Sequence, residues 1–124
     1  MAEHNEIGKL GEKVALRFLT LKGYTLIERN WKFERCEIDI IAECHGEIVF
    51  IEVKTRTDER YATALSSIHD NKFNNIVKAA QRYLAINRYE QPARIDTITV
   101  VGQPPHFKVK HYKGTSVQFQ LKAK

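Results

Sequence analysis

Three carboxylates and a lysine interrupt an otherwise apolar stretch between residues 36 and 57. Glu37, Asp39, Glu52 and Lys54 stand among isoleucine, valine and phenylalanine in CEIDIIAECHGEIVFIEVKTRT. Ionised groups are costly to bury without partners, so a strand pair that carries four of them needs an explanation. Carboxylates beside a lysine are suited to binding a hard divalent cation and to stabilising charge on a phosphate. The stretch therefore raises the hypothesis of phosphodiester chemistry.

A two-residue turn at positions 45–46, His-Gly, predicts how these side chains are placed. It makes an antiparallel hairpin in which paired residue numbers sum to 91. Asp39 then faces Glu52, Glu37 faces Lys54, and alternation puts all four on one side of the sheet. Opposed like charges destabilise a sheet unless a cation lies between them, which favours a divalent-metal site. The alternative is a hairpin end splayed into solvent, with Glu37 and Lys54 as a cross-strand ion pair.

A further candidate, Glu12, lies in the predicted first helix within GKLGEKVALRF. It borders the apolar stripe of that helix rather than lying inside it. Gly8 and Gly11 fall on one helical face, and mid-helix glycines cost about 1 kcal/mol each against alanine, which indicates a packing or site reason. We interpret the two glycines as the place where the helix approaches the sheet. Most helical glutamates are simply solvated, so that reading stays open for Glu12.

The pattern along the chain predicts one mixed-sheet α/β domain. Helical spacing of apolar residues favours helices over 4–22 and 66–89, and alternating segments predict strands before, between and after them. The predicted order is α-β-β-β-α-β-β, with helices covering the sheet. We assign residues 1–114 to this domain and 115–124 to a basic tail.

The positive charge is concentrated near the C-terminal end. Through Asp96 the chain holds fifteen Lys and Arg against fifteen Asp and Glu, and from residue 97 onward it has five lysines and no acid. Lys108 and Lys110 lie on the last predicted strand. Such a segment suits a polyanion such as nucleic acid, although a solvated tail has the same composition. No secretory h-region or membrane-spanning run is present in this sequence, so we expect a cytoplasmic protein with no membrane contact.

These residues together resemble a known family. Asp39, Glu52, Val53 and Lys54 look like the core motif of the PD-(D/E)XK nuclease superfamily. More closely, GKLGEKVALRFLTLKGYTLIERNW, EIDII, VFIEVKTR and RID are similar to the YraN family of presumed endonucleases, which itself resembles archaeal Holliday-junction resolvases. The similarity runs from about Gly8 to Val100. It implies a restriction-endonuclease-like fold, a Mg²⁺ or Mn²⁺ cofactor, a DNA substrate and a homodimer.

The resemblance also implies roles for single residues. Asp39, Glu52 and the Val53 carbonyl would hold the metal, and Lys54 would position or activate water. Glu12 would order the site from the first helix, and Glu37 would be a secondary acid beside it. Arg56 matches the trailing basic residue of the motif and could contact a phosphate. Asp96 matches an acid in the last core strand of the family, and for it we favour a structural role.

Two groups of residues outside the motif each have two possible roles. Lys72, with Lys78, Arg82 and Arg88, lies on the polar side of the second helix and could meet phosphates or form a solvated face. Trp31 and Phe33, which we place in a loop before Glu37, could stack on bases or close the core.

The leading hypothesis is a divalent-metal-dependent endonuclease that hydrolyses phosphodiester bonds in DNA, including branched or repair intermediates. One alternative is a non-catalytic nucleic-acid-binding module of the same fold. Another is an interaction protein whose acids are structural. The joint presence of Glu12, Asp39, Glu52 and Lys54 favours the enzyme over both.

Overall fold

A five-stranded mixed sheet is the centre of the fold in the computed structural model, which describes residues 2–57 and 70–114, with side chains described from 6–57 and 73–114. The predicted order α-β-β-β-α-β-β is confirmed. The elements are α1 (Ala2–Leu21), β1 (Thr25–Phe33), β2 (Cys36–Cys44), β3 (Glu47–Arg56), α2 (Asp70–Ile86), β4 (Ala93–Gln103) and β5 (His106–Tyr112). Neither helix of this described part is long and apolar enough to cross a bilayer.

The strands lie side by side in the order in which they occur along the chain. β1, β2 and β3 form an antiparallel meander, β3 and β4 pair in parallel, and β4 and β5 form an antiparallel hairpin. A parallel pair cannot be closed by a tight turn, so the connection from β3 to β4 carries α2. This arrangement agrees with the restriction-endonuclease-like fold that the resemblance implied.

Apolar residues alternate along the strands and build one core on each face of the sheet. Ile40, Val49 and Ile51 pack with Ala15 and Leu19 of α1 on one face. The other face carries Ile41, Ile48 and Phe50 together with Ala80 and Leu84 of α2. We call these faces the α1 face and the α2 face. Because both faces are covered, β2, β3 and β4 carry buried apolar residues on both sides of the sheet.

Left-handed residues end both helices. At the end of α1, Gly23 has φ 96° and the Tyr24 amide donates to the Leu19 carbonyl at 3.0 Å. At the end of α2, Arg88 has φ 58° and the Tyr89 amide donates to the Leu84 carbonyl at 2.9 Å. Both six-to-one bonds satisfy carbonyls that the helix leaves open. The predicted stop at Gly23 is confirmed.

The end of β1 differs from the prediction. β1 continues to Phe33, so placing Trp31 and Phe33 in a loop was wrong. The pairing of Trp31 with Ile38 and of Phe33 with Cys36 extends the strand, although Glu34 needs a positive φ to turn after it. The predicted basic tail, 115–124, and the residues 66–69 of the predicted second helix lie outside the described residues.

One of the two glycines in α1 lies against the sheet. A Cβ atom added to Gly11 would meet the hydroxyl oxygen of Thr55, with Cγ2 and Cβ of Thr55 at 2.8 and 2.9 Å. Gly8 has no atom within 4 Å of such a Cβ, so our interpretation of Gly8 as part of the close approach was wrong. Of the two glycines, only Gly11 lets α1 approach β3 closely. The closest contact between the helix and the strand therefore lies next to Glu12.

Gly11→Ala should destabilise the protein by about 1–3 kcal/mol, because the new methyl group overpacks against Thr55. Gly8→Ala is the matched control on the same helix, and it should stabilise by up to about 1 kcal/mol through helix propensity. Urea unfolding of both variants and the wild type measures the two changes. Equal effects of the two substitutions would show that the helix does not contact the strand here.

Candidate active site

The hairpin of β2 and β3 has the register that the turn predicts. His45 and Gly46 both have positive φ, at 53° and 80°, as a two-residue hairpin turn requires. In all five pairs of the ladder, from Cys44–Glu47 to Ile40–Ile51, the two residue numbers sum to 91 as predicted. The ladder then ends, and the expected facing pairs Asp39–Glu52 and Glu37–Lys54 are not among its pairs. Beyond Ile40 and Ile51, β2 pairs only with β1 and β3 only with β4, so an opening forms between them.

Asp39 lies at the point where the two strands part. Its Oδ2 accepts a hydrogen bond of 2.8 Å from the backbone amide of Val53. The carboxylate thus replaces the strand carbonyl that a continued ladder would have supplied. Ile38 and Ile40, the neighbours of Asp39, belong to opposite cores although alternation would put them on one face. The chain is therefore locally distorted at Asp39, which aims this residue into the opening.

Burial and like charge make Asp39 hard to ionise. Desolvation raises the pKa of its carboxyl, the Val53 hydrogen bond lowers it, and the charges of Glu12, Glu52 and Glu37 raise it further, to about 7. Those three acids come from α1, β3 and β2. The predicted carboxylates therefore share one electrostatic environment, even though Glu37 itself is exposed.

Glu52 and Lys54 lie on the same side of β3. Their side chains form an ion pair of 3.5 Å, and both are largely buried, with 15% and 13% of their side-chain surfaces exposed. Phe50, two residues before Glu52, packs in the α2-face core, so alternation assigns Glu52 and Lys54 to that face as well. The predicted common face is confirmed for this pair. The ammonium already neutralises one carboxylate of the opening.

Glu12 reaches the site from α1 and is held by β1. Its Oε1 accepts a 3.1 Å hydrogen bond from the Asn30 amide nitrogen Nδ2 and lies 3.8 Å from the Arg29 guanidinium. Asn30 has φ 52°, a left-handed conformation that asparagine tolerates better than most residues. Sequence reasoning did not single out Asn30; a polar residue interrupting the strand pattern was the only signal. Together these contacts orient Glu12, which our sequence reading left as solvated or functional.

The predicted phosphate-binding residues extend this face across the sheet. Register places Lys54 beside Thr99 of β4 and Thr99 beside Lys110 of β5, while Arg56 and Lys108 flank Val101 in the next row. Phe107 and Val109 pack on the α1 face, so alternation assigns Lys108 and Lys110 to the α2 face. Three rows of facing residues thus run across β3, β4 and β5 on this face, and we call them together the basic grid. The rows are Glu52, Thr97 and Tyr112; Lys54, Thr99 and Lys110; and Arg56, Val101 and Lys108.

The residues at the opening fit a hard divalent cation. Mg²⁺ is commonly held through one or two carboxylates, with waters completing its shell, and Asp39 and Glu52 supply those oxygens. The N–H and C=O of one strand residue point to the same edge, so the Val53 carbonyl, like its amide, faces the opening. Across residues 6–57 and 73–114 no group of three or more His, Cys, Asp or Glu side chains is arranged to hold a metal. The protein's share would thus be two carboxylates and one carbonyl.

The other candidate residues lie away from the opening or outside the described side chains. Lys78 and Arg82 of α2 are exposed, as the solvated-face interpretation expects, and so is Arg88, which lies just after the end of the helix. Lys72 belongs to α2, but its side chain lies outside the described part. Trp31 stacks on Phe33 with ring centroids 6.1 Å apart and meets Tyr83 edge-on at 5.0 Å. Trp31 and Phe33 pack against the α2-face core while staying partly exposed, which supports the core-closing interpretation.

A second buried carboxylate has the opposite environment. Asp96 is fully buried and accepts hydrogen bonds from Arg94 at 2.9 Å and from the Gly114 amide at 3.0 Å, and His111 Nε2 lies 2.7 Å away. Arg94 also contacts Glu47 and donates to the Tyr24 hydroxyl at 2.8 Å. Burial opposes ionisation of Asp96, but these partners outweigh it and hold its pKa below the ordinary value. This network is structural, as we expected for Asp96, although nothing in the sequence identified its partners.

Comparison with known proteins assigns the chain to a family whose description states no activity. A family model described as "Uncharacterised protein family UPF0102" matches residues 11–100. A UPF0102 protein of Flavobacterium psychrophilum is 37% identical over 119 residues, covering 96% of this chain and all of the relative. One from Phocaeicola vulgatus is 40% identical over 111 residues, covering 90% and 92%. One from Caldanaerobacter subterraneus subsp. tengcongensis is 39% identical over 109 residues, covering 85% and 89%.

Asp39→Asn should stabilise the protein at alkaline pH. A raised pKa means that the folded state binds the proton more tightly than the unfolded state, so this carboxyl's contribution is lost as pH rises through about 7. Asparagine cannot ionise and still offers Val53 an oxygen. We expect a gain on the order of 2 kcal/mol at about pH 8 that shrinks towards about pH 5. Urea unfolding across this range measures it.

Asp96→Asn is the matched control with the opposite sign. The lowered pKa of Asp96 means that its contribution is present above the ordinary value and lost as pH falls through the lowered one. Removing its charge should therefore destabilise the protein at about pH 8, by about 3 kcal/mol, since Arg94 loses its buried partner. Loss of stability in both variants would contradict the contrast between the two sites.

Proposed function

The chain belongs to the UPF0102 family, and we propose that it is a divalent-metal-dependent endonuclease that hydrolyses phosphodiester bonds in DNA. The observation that carries the proposal is the opening between β2 and β3. It gathers Asp39, Glu52, Lys54 and the Val53 carbonyl beside a sheet face that carries three further cations. Acids that repel one another without a cation, next to groups that attract phosphate, are the parts such a reaction needs. The proposal includes membership of the PD-(D/E)XK superfamily.

Each residue of the opening has a distinct role. Asp39 and Glu52, with the Val53 carbonyl, would hold Mg²⁺ or Mn²⁺, which supplies Lewis-acid stabilisation of the scissile phosphate and helps ionise the attacking water. Lys54, whose ammonium pairs with Glu52, would orient the water or neutralise charge on the phosphate. Glu12, fixed by Asn30 and Arg29, keeps the opening acidic from the α1 side. Glu37 adds negative charge from the rim.

DNA is the proposed partner because the cations beyond the opening lie in rows on one face. Arg56, Lys108 and Lys110 share the basic grid with Lys54, so a phosphate backbone that passes the opening meets them in turn. We include branched and repair intermediates among the substrates. A symmetric dimer, which the family resemblance implies, would present two such faces to a branched duplex.

A non-catalytic nucleic-acid-binding module is the alternative function. The absence of a three-side-chain metal cluster among the described side chains favours it, because strong metal binding then depends on a backbone carbonyl and on the substrate. Such a module would use the basic grid and would not need Asp39 to ionise.

Metal binding is the first test. Calorimetry with Mg²⁺ and Mn²⁺ at moderate salt should show binding to the wild type and loss of it in Asp39→Asn, because one of two carboxylate ligands is gone. Glu43→Gln is the control, since Glu43 lies on the same strand and accepts a hydrogen bond from Gln91 at 3.3 Å. A negative wild-type result is repeated with a DNA junction present. A second negative, or equal binding by Asp39→Asn, would rule out the metal site.

Cleavage separates the enzyme from the binding module. Glu52→Gln and Lys54→Met should each slow cleavage of branched DNA by at least about a hundredfold, as loss of one charge-stabilising group does in other enzymes. Lys54→Met should still bind the metal, because it leaves both carboxylates in place. Undiminished DNA binding without cleavage by the wild type would instead support the module.

The basic grid predicts how DNA binding depends on salt. Lys108→Gln and Lys110→Gln should each reduce the slope of log K against log [salt] by about 0.9 for duplex DNA, since each removes one phosphate contact. Lys9→Gln, an exposed lysine on α1, is the control and should leave the slope unchanged. Fluorescence anisotropy at several salt concentrations measures the slopes. Equal slopes for all three variants would remove this face from the DNA interface.

A further inference from the structure

Thr99 of β4 is buried with an unpaired hydroxyl. Its relative exposure is 2%. Among the buried side-chain oxygen and nitrogen atoms of the described residues, only Thr99 Oγ1 has no hydrogen-bond partner. Thr99 is also one of two buried polar residues in the described part, and the other, Asp96, has several partners. An unpaired buried hydroxyl is costly, so its presence in a central strand needs a reason.

Thr99 lies at the centre of the basic grid. Lys54 pairs with it from β3 and Lys110 from β5. Thr97 and Val101 precede and follow it on the same face of β4. The grid as a whole holds four cationic side chains and one acidic side chain, Glu52, at its corner next to the opening.

The chemistry of these neighbours leaves the hydroxyl hydrogen without an acceptor. A threonine hydroxyl donates one hydrogen bond, whereas lysine ammonium groups only donate. Lys54 and Lys110 therefore cannot accept it, and Glu52 lies one row away, where it pairs with Lys54. No acceptor for it is present among the described residues, so a ligand can supply one. Beside several cations that acceptor is an anion, and the oxygens of a phosphate group both accept the hydroxyl hydrogen and pair with the ammonium groups.

We propose that Thr99, Lys54 and Lys110 form a phosphate-binding subsite for a nucleic-acid backbone, with the Thr99 hydroxyl as the donor at its floor. This inference rests on the proposed function for its ligand, and it names the phosphate next to the scissile one. Lys54 then serves two phosphates, because it lies between the opening and Thr99. Lys110 is exposed at the sheet edge, so its side chain can turn aside to admit the phosphate and close on it.

The subsite predicts that stability and binding respond in opposite directions to one substitution. Thr99→Val has nearly the same shape and removes the unpaired hydroxyl, so the free protein should be as stable as the wild type or more stable. The same change should weaken phosphate binding about tenfold, since a hydrogen bond to a charged group is lost. Thr99→Ser keeps the hydroxyl and should bind within about twofold of the wild type. Thr25→Val, at an exposed position on β1, is the control for the chemical change.

The experiment is a titration of the full chain with inorganic phosphate in the absence of metal, followed by NMR shifts of the β4 amides. Saturable shifts in the wild type and in Thr99→Ser, weakened in Thr99→Val and in Lys110→Gln, support the subsite. A short single-stranded oligonucleotide should then displace the phosphate. Equal binding by Thr99→Val and the wild type, no saturable shift in the wild type, or failure of the oligonucleotide to compete would overturn it.

These outcomes are separate from the test of catalysis. The titration requires neither metal nor turnover, so phosphate binding that depends on Thr99 in a protein without cleavage would count against the endonuclease proposal alone. Metal-dependent cleavage together with phosphate binding that ignores Thr99 would count against the subsite alone.

Discussion

The separation of β2 from β3 is the constraint on which the candidate site depends. After Ile40 and Ile51 the strands stop pairing, and the next backbone amide, that of Val53, is satisfied by the Asp39 carboxylate instead of a strand carbonyl. This one hydrogen bond holds Asp39 in a largely desolvated position among other acids, where its pKa rises to about 7. It also leaves the Val53 carbonyl on the edge that faces the opening. A continued ladder would have bonded that carbonyl and left no space for a cation.

Two carboxylates of the same sheet lie in opposite electrostatic environments. Asp39 has one backbone donor and three acidic neighbours, whereas Asp96 has an arginine, a histidine and a backbone amide. The pKa of Asp39 is raised and that of Asp96 is lowered, although both are aspartates on neighbouring parts of one sheet. Of the two, Asp39 is the carboxylate whose ionised form a bound cation would stabilise. Asp96 instead fastens β5 to β4 and contributes to holding the sheet together.

Much of this arrangement could be predicted from local sequence signals. The His-Gly turn predicted the register of five strand pairs, and apolar alternation located the strands. The EID and EVK segments drew attention to Asp39, Glu52 and Lys54 as candidates. The end of the ladder could not be predicted, since beyond it β2 pairs with β1 and β3 with β4, and local sequence does not show where those pairings take over. The same holds for Asn30, whose left-handed backbone serves a contact eighteen residues away, and for Thr99, which looks like any strand threonine until its neighbours are known. The prediction placed Trp31 and Phe33 in a loop, whereas their pairing with β2 extends β1. Their residue types alone do not indicate that pairing.

The order of the strands in the sheet, which equals their order in the chain, has a consequence for folding kinetics. Within β1, β2 and β3 every pairing joins neighbours through a short turn, so this meander closes only small loops. The pairing of β3 with β4 is the step that must close the long segment containing α2. Because contacts of small sequence separation form fastest, the hairpin that carries Asp39, Glu52 and Lys54 belongs to the early-forming half of the molecule. The basic grid is complete only when β4 and β5 have joined, so the hairpin that carries the acids forms before the cationic face beside it.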